Sequence, residues 1–274
     1  MHTPNPTVFS KTRSLGFTAR PRQNCFARRS AAKVENAWNK RSSTITENAL
    51  MFEPGACFAA GTLVHTKEGL KPIEKIQVGD WVLSKPENGG ERAYKRVLKT
   101  FAHEPQRVLL AQYLVPGQNV EALISKAQPI KVEKLVTTPG HPFWIKERGW
   151  TAAIKIQDEG PKNFRFEGQD GSDIAVWGMK SIYVSNHKNV GWMPTTSSVN
   201  TEDVGWLWDY VKDSLVAYDV GAIEAVQYAW DVGDPEEQDL YFKLPVYNLE
   251  VENFHTYYVG EHGIWVHNQN CDGQ

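Results

Sequence analysis

From Gly55 onward, apolar and polar residues alternate in short runs that are separated by turn residues. Alternation with a period of two places successive side chains on opposite faces of a β-strand. Glycine-containing turn signals, such as Asn88-Gly89-Gly90 and Gly260–Gly263, divide the runs. Many short strands at close spacing predict an all-β domain. The predicted strands are Leu63–Thr66, Trp81–Ser84, Val97–Ala102, Val108–Leu114, Val132–Thr137, Phe143–Lys146, Ala175–Met179, Ser181–Ser185, Tyr241–Lys243, Val246–Val251 and Thr256–Val259.

One segment, at about residues 186–217, departs from this pattern. After a suitable N-cap at Asn200-Thr201, apolar residues recur at helical spacing. This spacing predicts an insertion that carries one amphipathic helix. The residues concerned are Val204, Leu207, Trp208, Val211 and Leu215.

Residues 1–53 differ in composition from the rest of the chain. They contain nine Lys or Arg against three Asp or Glu, whereas the whole chain has a net charge of −2. We expect a basic leader, disordered or partly helical around Cys25–Lys40, that could also be a transit peptide or a nucleic-acid-binding arm. The predicted organisation is this leader, one domain at 54–268 and a short remnant at 269–274. The acidic domain itself is not expected to bind nucleic acid.

Composition excludes several other classes of protein. The three cysteines include no CxxC pair, so neither a disulfide framework nor a structural zinc site is expected. No apolar run has the length of a membrane span, and no secretory signal is visible near Met1. We also expect no cofactor and a monomeric domain.

The final strand-like run ends in His267-Asn268. An asparagine side-chain amide can attack its own backbone carbonyl, which closes a succinimide and expels the amine of the next residue. A histidine beside the bond can supply the proton that the leaving nitrogen needs. His267 is adjacent in sequence, and His255 is predicted to fold next to it. The Asn268–Gln269 bond is therefore a candidate site of self-cleavage.

A second candidate bond precedes Cys57, which lies in a run of small residues. Attack of the Cys57 thiolate on the Ala56 carbonyl would convert the peptide bond into a thioester. Thr138 and His141 are spaced across a Pro-Gly turn, so both side chains can converge on one bond. Thr138 is predicted to bond the Ala56 carbonyl and His141 to protonate the departing nitrogen of Cys57.

Four blocks, in this order, resemble those of the Hedgehog/intein (Hint) superfamily: Cys57–Leu83, Thr138–Phe143, Val246–Val259 and Gly263–Asn268. The pretoxin Hint branch, which precedes toxin domains in bacterial polymorphic toxin systems, is the most similar. The resemblance covers about residues 55–268. It implies a twisted, horseshoe-like β fold whose two chain ends meet at one active site.

The resemblance also implies a function with definite partners. A self-cleaving domain would release a downstream toxin after secretion or delivery, and an upstream region would direct that delivery. Splicing inteins carry Cys, Ser or Thr after the terminal Asn, whereas this chain has Gln269. We therefore expect cleavage without ligation. Six residues follow Asn268, so the toxin itself is expected to be absent from this chain.

Two alternatives remain open at the level of sequence. Cys57 with His141 or His255 could form a hydrolase that acts in trans, although no helix is predicted after Cys57 to lower its pKa. The domain could also be a catalytically silent spacer. The remaining histidines are interpreted as ordinary surface or turn residues, and Cys25 and Cys271 as non-catalytic; these histidines are His65, His103, His187 and His262.

Overall fold

A computed structural model describes residues 55–118, 131–160, 164–185, 187–194, 205–218 and 240–268. These residues form two β-sheets, a 3-10 turn at Ile73–Lys75 and one α-helix, α1, at Ala153–Glu159. The all-β prediction is confirmed. The leader and the C-terminal remnant lie outside the described residues.

The larger sheet contains fourteen strands. They are β1 (Phe58–Ala59), β2 (Leu63–Thr66), β3 (Gly69–Pro72), β4 (Trp81–Ser84), β5 (Ala93–Arg107), β6 (Leu109–Leu114), β7 (Val132–Thr137), β8 (Pro142–Ile145), β9 (Gly149–Ala152), β10 (Arg165–Glu167), β11 (Asp173–Ser181), β16 (Lys243–Val251), β17 (Thr256–Val259) and β18 (Ile264–His267). The smaller sheet contains β12 (Tyr183–Val184), β13 (Val190–Pro194), β14 (Gly205–Asp209) and β15 (Ser214–Tyr218).

The larger sheet follows the order β10-β11-β6-β7-β1-β16-β5-β4-β2-β17-β18-β8-β9, and β3 pairs with β2. β10 also pairs with β8, through Phe166 and Ile145, so the circuit of pairings closes on itself. Closure leaves fewer exposed strand edges. It also brings the first strand, β1, and the last strand, β18, into one continuous framework.

Several predicted strands are observed with the same bounds, namely β2, β4, β7 and β17. The predicted segment Val97–Ala102 is the middle of a longer strand, β5, which pairs with β16 over most of its length. The two-residue strand β1 has too few residues to show alternation, and its place is set by pairing with Tyr247 and Thr137.

The helix predicted within 186–217 is wrong for the part that the structure describes. Residues 205–218 form the antiparallel hairpin of β14 and β15, with Trp208 paired to Leu215. The Asp209 carboxylate accepts the amides of Val211 and Lys212, which stabilises a turn between the strands. The apolar spacing comes from two strands that flank this turn, and aromatic residues favour strands.

The two larger of three apolar clusters in the described part of the chain lie around the site. The larger lies within the closed sheet and includes Phe58, Phe143 and Tyr257. The second joins both sheets: Cys57 and Val246 pack there with Met193 and Trp208 of the smaller sheet. The insertion therefore forms part of the surroundings of Cys57.

Replacement of Trp208 by Ala tests this packing. Trp208 is 1% exposed, so we expect Trp208→Ala to lower the free energy of unfolding by about 3–5 kcal/mol. Trp206→Ala is the matched control, since Trp206 lies two residues earlier on the same strand and is 43% exposed. Its effect should stay within about 0.5 kcal/mol. Urea denaturation measures both, and equal losses would contradict the assigned packing.

Candidate functional site

Two antiparallel pairings bring the sequence-predicted residues together. β1 pairs with β7 through Phe58 and Thr137, so the preceding Cys57 lies beside Thr138. β18 pairs with β8 through Val266 and Phe143. Continuing that register by two residues places Asn268 alongside His141. Both candidate cleavage positions therefore flank the turn between β7 and β8.

The backbone of Cys57 is held by the two threonines at the end of β7. Its amide donates to Thr138 Oγ1 at 2.9 Å. Its carbonyl accepts from the Thr138 amide at 3.0 Å and from Thr137 Oγ1 at 3.1 Å. The Cys57 side chain is fully buried and not in a disulfide. The thiol is thus fixed in a site from which bulk water is excluded.

Thr138 and His141 each contact the backbone atom that the sequence analysis predicted for the other. The Thr138 hydroxyl accepts the Cys57 amide and donates to the Gly55 carbonyl. The His141 ring, instead, lies beside the Ala56 carbonyl. The two side chains still flank the Ala56–Cys57 bond, but Thr138 holds its nitrogen side and His141 its carbonyl side.

Gly55 sets the approach of the chain to this bond. Its φ is +105°, a conformation that residues with a Cβ rarely adopt. A Cβ at this position would also lie 2.5 Å from the Gln106 side-chain oxygen. Glycine is required at this point if the Gly55 carbonyl is to meet Thr138.

His141 is a neutral imidazole at neutral pH. Its ring is completely buried and lies 4.1 Å, centroid to centroid, from the ring of Phe58. The pKa of His141 is lowered to about 3, mainly by burial; the Ala56 carbonyl opposes this shift and the nearby His267 adds to it. A neutral ring can donate one N–H to an oxyanion but is not a strong acid.

Asn268 is also buried, with 4% of its surface exposed. Its amide donates to the His255 carbonyl at 2.9 Å, which fixes the main chain at the end of β18. Its side-chain Nδ2 is buried and has no hydrogen-bond partner among the described residues. The group that would attack in cyclisation is therefore not committed to another contact.

His267 lies between an acidic and an aromatic side chain. Its Nε2 is 3.3 Å from Glu87 Oε1, and its ring meets the ring of Trp150 nearly at right angles, at 5.1 Å. Burial lowers the pKa of His267, Glu87 opposes the shift, and His255 adds to it. Nδ1 is buried without a partner in the described part of the chain.

His255 contributes differently from what the sequence predicted. Its side chain is exposed, and its φ is +53°. Its backbone carbonyl, rather than its ring, contacts Asn268. The ring is still close enough to act electrostatically on His267.

Glu87 is a site residue that the motif analysis missed. It lies in the turn between β4 and β5, just after the first of the four sequence blocks and outside all of them. A single carboxylate in an Asn-Gly turn carries no sequence signal, and only the fold brings it to His267. Among the histidines expected to be ordinary, His65 is half-buried and bonds the Gly260 carbonyl through Nε2 at 2.7 Å.

One group of possible metal ligands lies elsewhere. The ligand atoms of Glu133, Glu261 and His262 lie within 4.8 Å of one another. The Lys131 ammonium is 2.5 Å from Glu133 Oε1. The positive charge of Lys131 therefore already compensates the negative charge of Glu133 in this group.

One family model matches part of the chain. Residues 63–172 match the model of the pretoxin HINT domain. The matched range contains Thr138 and His141, whereas Cys57 precedes it and Asn268 lies beyond it. The resemblance inferred from the four sequence blocks is confirmed.

Solved structures of inteins and intein-like domains are also similar to this chain. A bacterial intein-like domain from Clostridium thermocellum is 24% identical, with 78% of this chain and 99% of that chain covered and a TM-score of 0.44. A DnaB intein from Synechocystis is 9% identical, with 78% and 99% covered and a TM-score of 0.40. No curated protein matches at a significant level.

The described part of the chain contains no helix with the length and apolar character needed to cross a membrane. The longest pairing between two of its strands is that of β5 with β16.

Thr138→Val removes the acceptor of the buried Cys57 amide. An unpaired buried donor costs about 1–3 kcal/mol, so we expect the free energy of unfolding to fall by that amount. Thr138→Ser keeps the hydroxyl and is the matched control. Chemical denaturation distinguishes them, and a Thr138→Val chain as stable as Thr138→Ser would show that this bond contributes nothing.

His141 also predicts a dependence of stability on pH. Its pKa is about 3 in the folded chain and near 6.5 when exposed, so between these values the unfolded chain binds a proton that the folded chain does not. The contribution of the neutral His141 to the free energy of unfolding is therefore fully present above about pH 6.5 and is lost as the pH falls toward 3.

His141→Gln should flatten this loss between pH 7 and pH 5, as measured by thermal or urea unfolding. His187→Gln is the control, because His187 is exposed. If both variants lose stability on acidification as steeply as the wild type, His141 is not the buried neutral group described above.

Proposed function

We propose that this chain cleaves its own backbone at one or both ends of the HINT domain. The observation that supports it most strongly is that Cys57, His141 and Asn268 are all buried around the β7–β8 turn, with 0%, 0% and 4% of their surfaces exposed. Burial of these groups from two distant chain segments around one turn supports the proposal that they react there.

The N-side step is an acyl shift. The Cys57 sulfur attacks the Ala56 carbonyl carbon, the bond from that carbon to the Cys57 nitrogen breaks, and the thiol proton passes to the nitrogen. The product is a thioester with a free amine. The neutral His141 ring donates its N–H to the oxyanion that develops on Ala56, and Thr138 keeps the Cys57 nitrogen in place.

The C-side step is cyclisation of Asn268. Its Nδ2 attacks its own carbonyl carbon, the bond to the Gln269 nitrogen breaks, and one proton passes from Nδ2 to the leaving nitrogen. His267 carries this proton. The products are a C-terminal succinimide and a free amine on Gln269. His255 supports the step through its carbonyl, which holds the Asn268 amide.

Cleavage without ligation is favoured at the C-side. Gln269 offers neither a thiol nor a hydroxyl to accept a thioester. Transfer of the upstream segment to Gln269 would need such a nucleophile. The proposed outcome is therefore release of whatever follows Asn268.

The proposed biological role is release of a downstream toxin. A pretoxin domain is expected to lie between an upstream region used for secretion or delivery and the toxin itself. Cleavage at Asn268 would free the toxin from both. The HINT domain would act once, as a single-turnover autoproteolytic unit.

Of the alternatives, a hydrolase acting in trans receives the least support, because a fully buried Cys57 cannot meet an external substrate. A silent spacer would have no need for a buried asparagine side chain without a hydrogen-bond partner.

Intact-mass spectrometry tests the proposal. Freshly purified chain is followed over hours, with and without dithiothreitol. We expect loss of residues 269–274, or thiol-dependent separation of residues 1–56. Asn268→Ala should abolish the first product and Cys57→Ala the second. Each variant is the control for the other bond.

Fusion of a neutral folded domain after Gln274 supplies the load that a toxin would provide. If the fused and unfused wild-type chains both keep a single unchanged mass, the domain is a spacer. Release of the C-terminal peptide at full rate from Asn268→Ala would exclude cyclisation.

A further inference from the structure

We propose that Glu87 is a positioning residue for cleavage after Asn268. Its carboxylate holds the His267 ring through Nε2, at 3.3 Å, and leaves Nδ1 to exchange a proton with the reacting groups of Asn268. This inference rests on the proposed self-cleavage and names a residue for it that lies outside the cleavage motifs.

The start of the Glu87 turn is tied to the strand beside His267. Thr256 of β17 pairs in register with His267 of β18. Ser84 Oγ donates to the Thr256 carbonyl at 2.7 Å, and the Lys85 amide donates to Thr256 Oγ1 at 3.3 Å. Thr256 Oγ1 in turn donates to the Lys85 carbonyl. These bonds fix the position of the start of the turn, at the end of β4, relative to His267.

The Lys85 side chain fixes the turn a second time. Its ammonium is 2.5 Å from Glu167 Oε1 and 4.3 Å from the ring centre of Trp265, the residue two positions before His267. Both charged side chains are less than one-fifth exposed. The Gly89 amide donates to the Pro86 carbonyl at 2.8 Å and closes the turn around Glu87. Such anchoring lowers the entropy that Glu87 would lose on meeting His267.

The His267 ring has defined neighbours on its other sides. Trp150 meets it edge to face, and Trp265 packs on Trp150 at 4.8 Å. With Nε2 turned to Glu87, Nδ1 faces the buried side, where neither it nor Asn268 Nδ2 has a partner among the described residues. His267 Nδ1 and Asn268 Nδ2, which belong to adjacent residues, are therefore available to interact with each other or with the Asn268–Gln269 bond.

This arrangement gives the proton a route. As Asn268 Nδ2 forms its bond to the carbonyl carbon, Nδ1 takes the proton from Nδ2, and the imidazolium then gives it to the Gln269 nitrogen as the peptide bond breaks. Glu87 stabilises the imidazolium between the two transfers, as a carboxylate does for a catalytic histidine in other enzymes.

The charges around His267 fix the sign of the test. Glu87 raises the pKa of His267, whereas burial and His255 lower it. The charge of His267 in turn lowers the pKa of His141. Removal of the Glu87 carboxylate must therefore lower the pKa of His267. The inflection of the cleavage rate with pH should move to lower pH, whether the acid or the base form of His267 limits the rate.

The experiment compares Glu87→Gln with Glu91→Gln, which removes a carboxylate from an exposed position of the same turn. Release of residues after Asn268 is followed by intact mass from pH 5 to pH 9. We expect Glu87→Gln to slow release about tenfold or more and to shift the inflection to lower pH, and Glu91→Gln to match the wild type. A structural role alone would lower the rate without moving the inflection.

Histidine NMR titration in the uncleavable Asn268→Ala chain gives a readout that does not need cleavage. Adding Glu87→Gln should lower the pKa of His267, and an unchanged pKa would overturn the inference. It is also overturned if the wild type cleaves after Asn268 and Glu87→Gln cleaves at the same rate with the same inflection. Failure of the proposed function differs, because wild type and Asn268→Ala would then both stay uncleaved.

Discussion

Antiparallel pairing at the β7–β8 turn is the constraint on which the rest of the site depends. β7 binds the strand that begins at Cys57, and β8 binds the strand that ends at Asn268. Two chain segments that are more than 200 residues apart thereby reach a single turn. The closed circuit of strands fixes both ends at once.

Burial then determines what each histidine at this turn can do. A ring shielded from water loses its charged form first. His141, whose pKa no carboxylate of the described residues raises, is left as a neutral N–H donor beside Ala56. At His267, burial also lowers the pKa, but Glu87 at 3.3 Å opposes this shift. In the proposed reaction, one histidine stabilises an oxyanion and the other transfers a proton.

The sequence predicted the elements whose signals are local. Alternation located β2, β4, β7 and β17, and motif spacing located Cys57, Thr138 and His141, which the fold brings together. The prediction that was wrong concerns a segment whose structure depends on contacts with distant residues. The apolar spacing around Trp208 is shared by a helix and by a hairpin, and only pairing with β13 and β15 distinguishes them.

The atoms of the site were harder to predict than its residues. Thr138 and His141 exchanged their expected partners because a residue's position in a motif does not fix the direction of its side chain. His255 provides a carbonyl rather than a ring, since a left-handed backbone at this position turns the side chain outward. Glu87 could not be found at all, because its only relation to His267 is spatial.

The two candidate bonds are not equally prepared for reaction. At the N-side, the Cys57 nitrogen that would leave is hydrogen-bonded to Thr138 Oγ1, and an acyl shift must change this bond, which is worth about 1 kcal/mol. At the C-side, Asn268 Nδ2 and His267 Nδ1 are buried with no contact to give up among the described residues. A buried polar atom without a partner raises the energy of the starting state, and cyclisation relieves it. We therefore propose cleavage after Asn268 as the better prepared of the two steps.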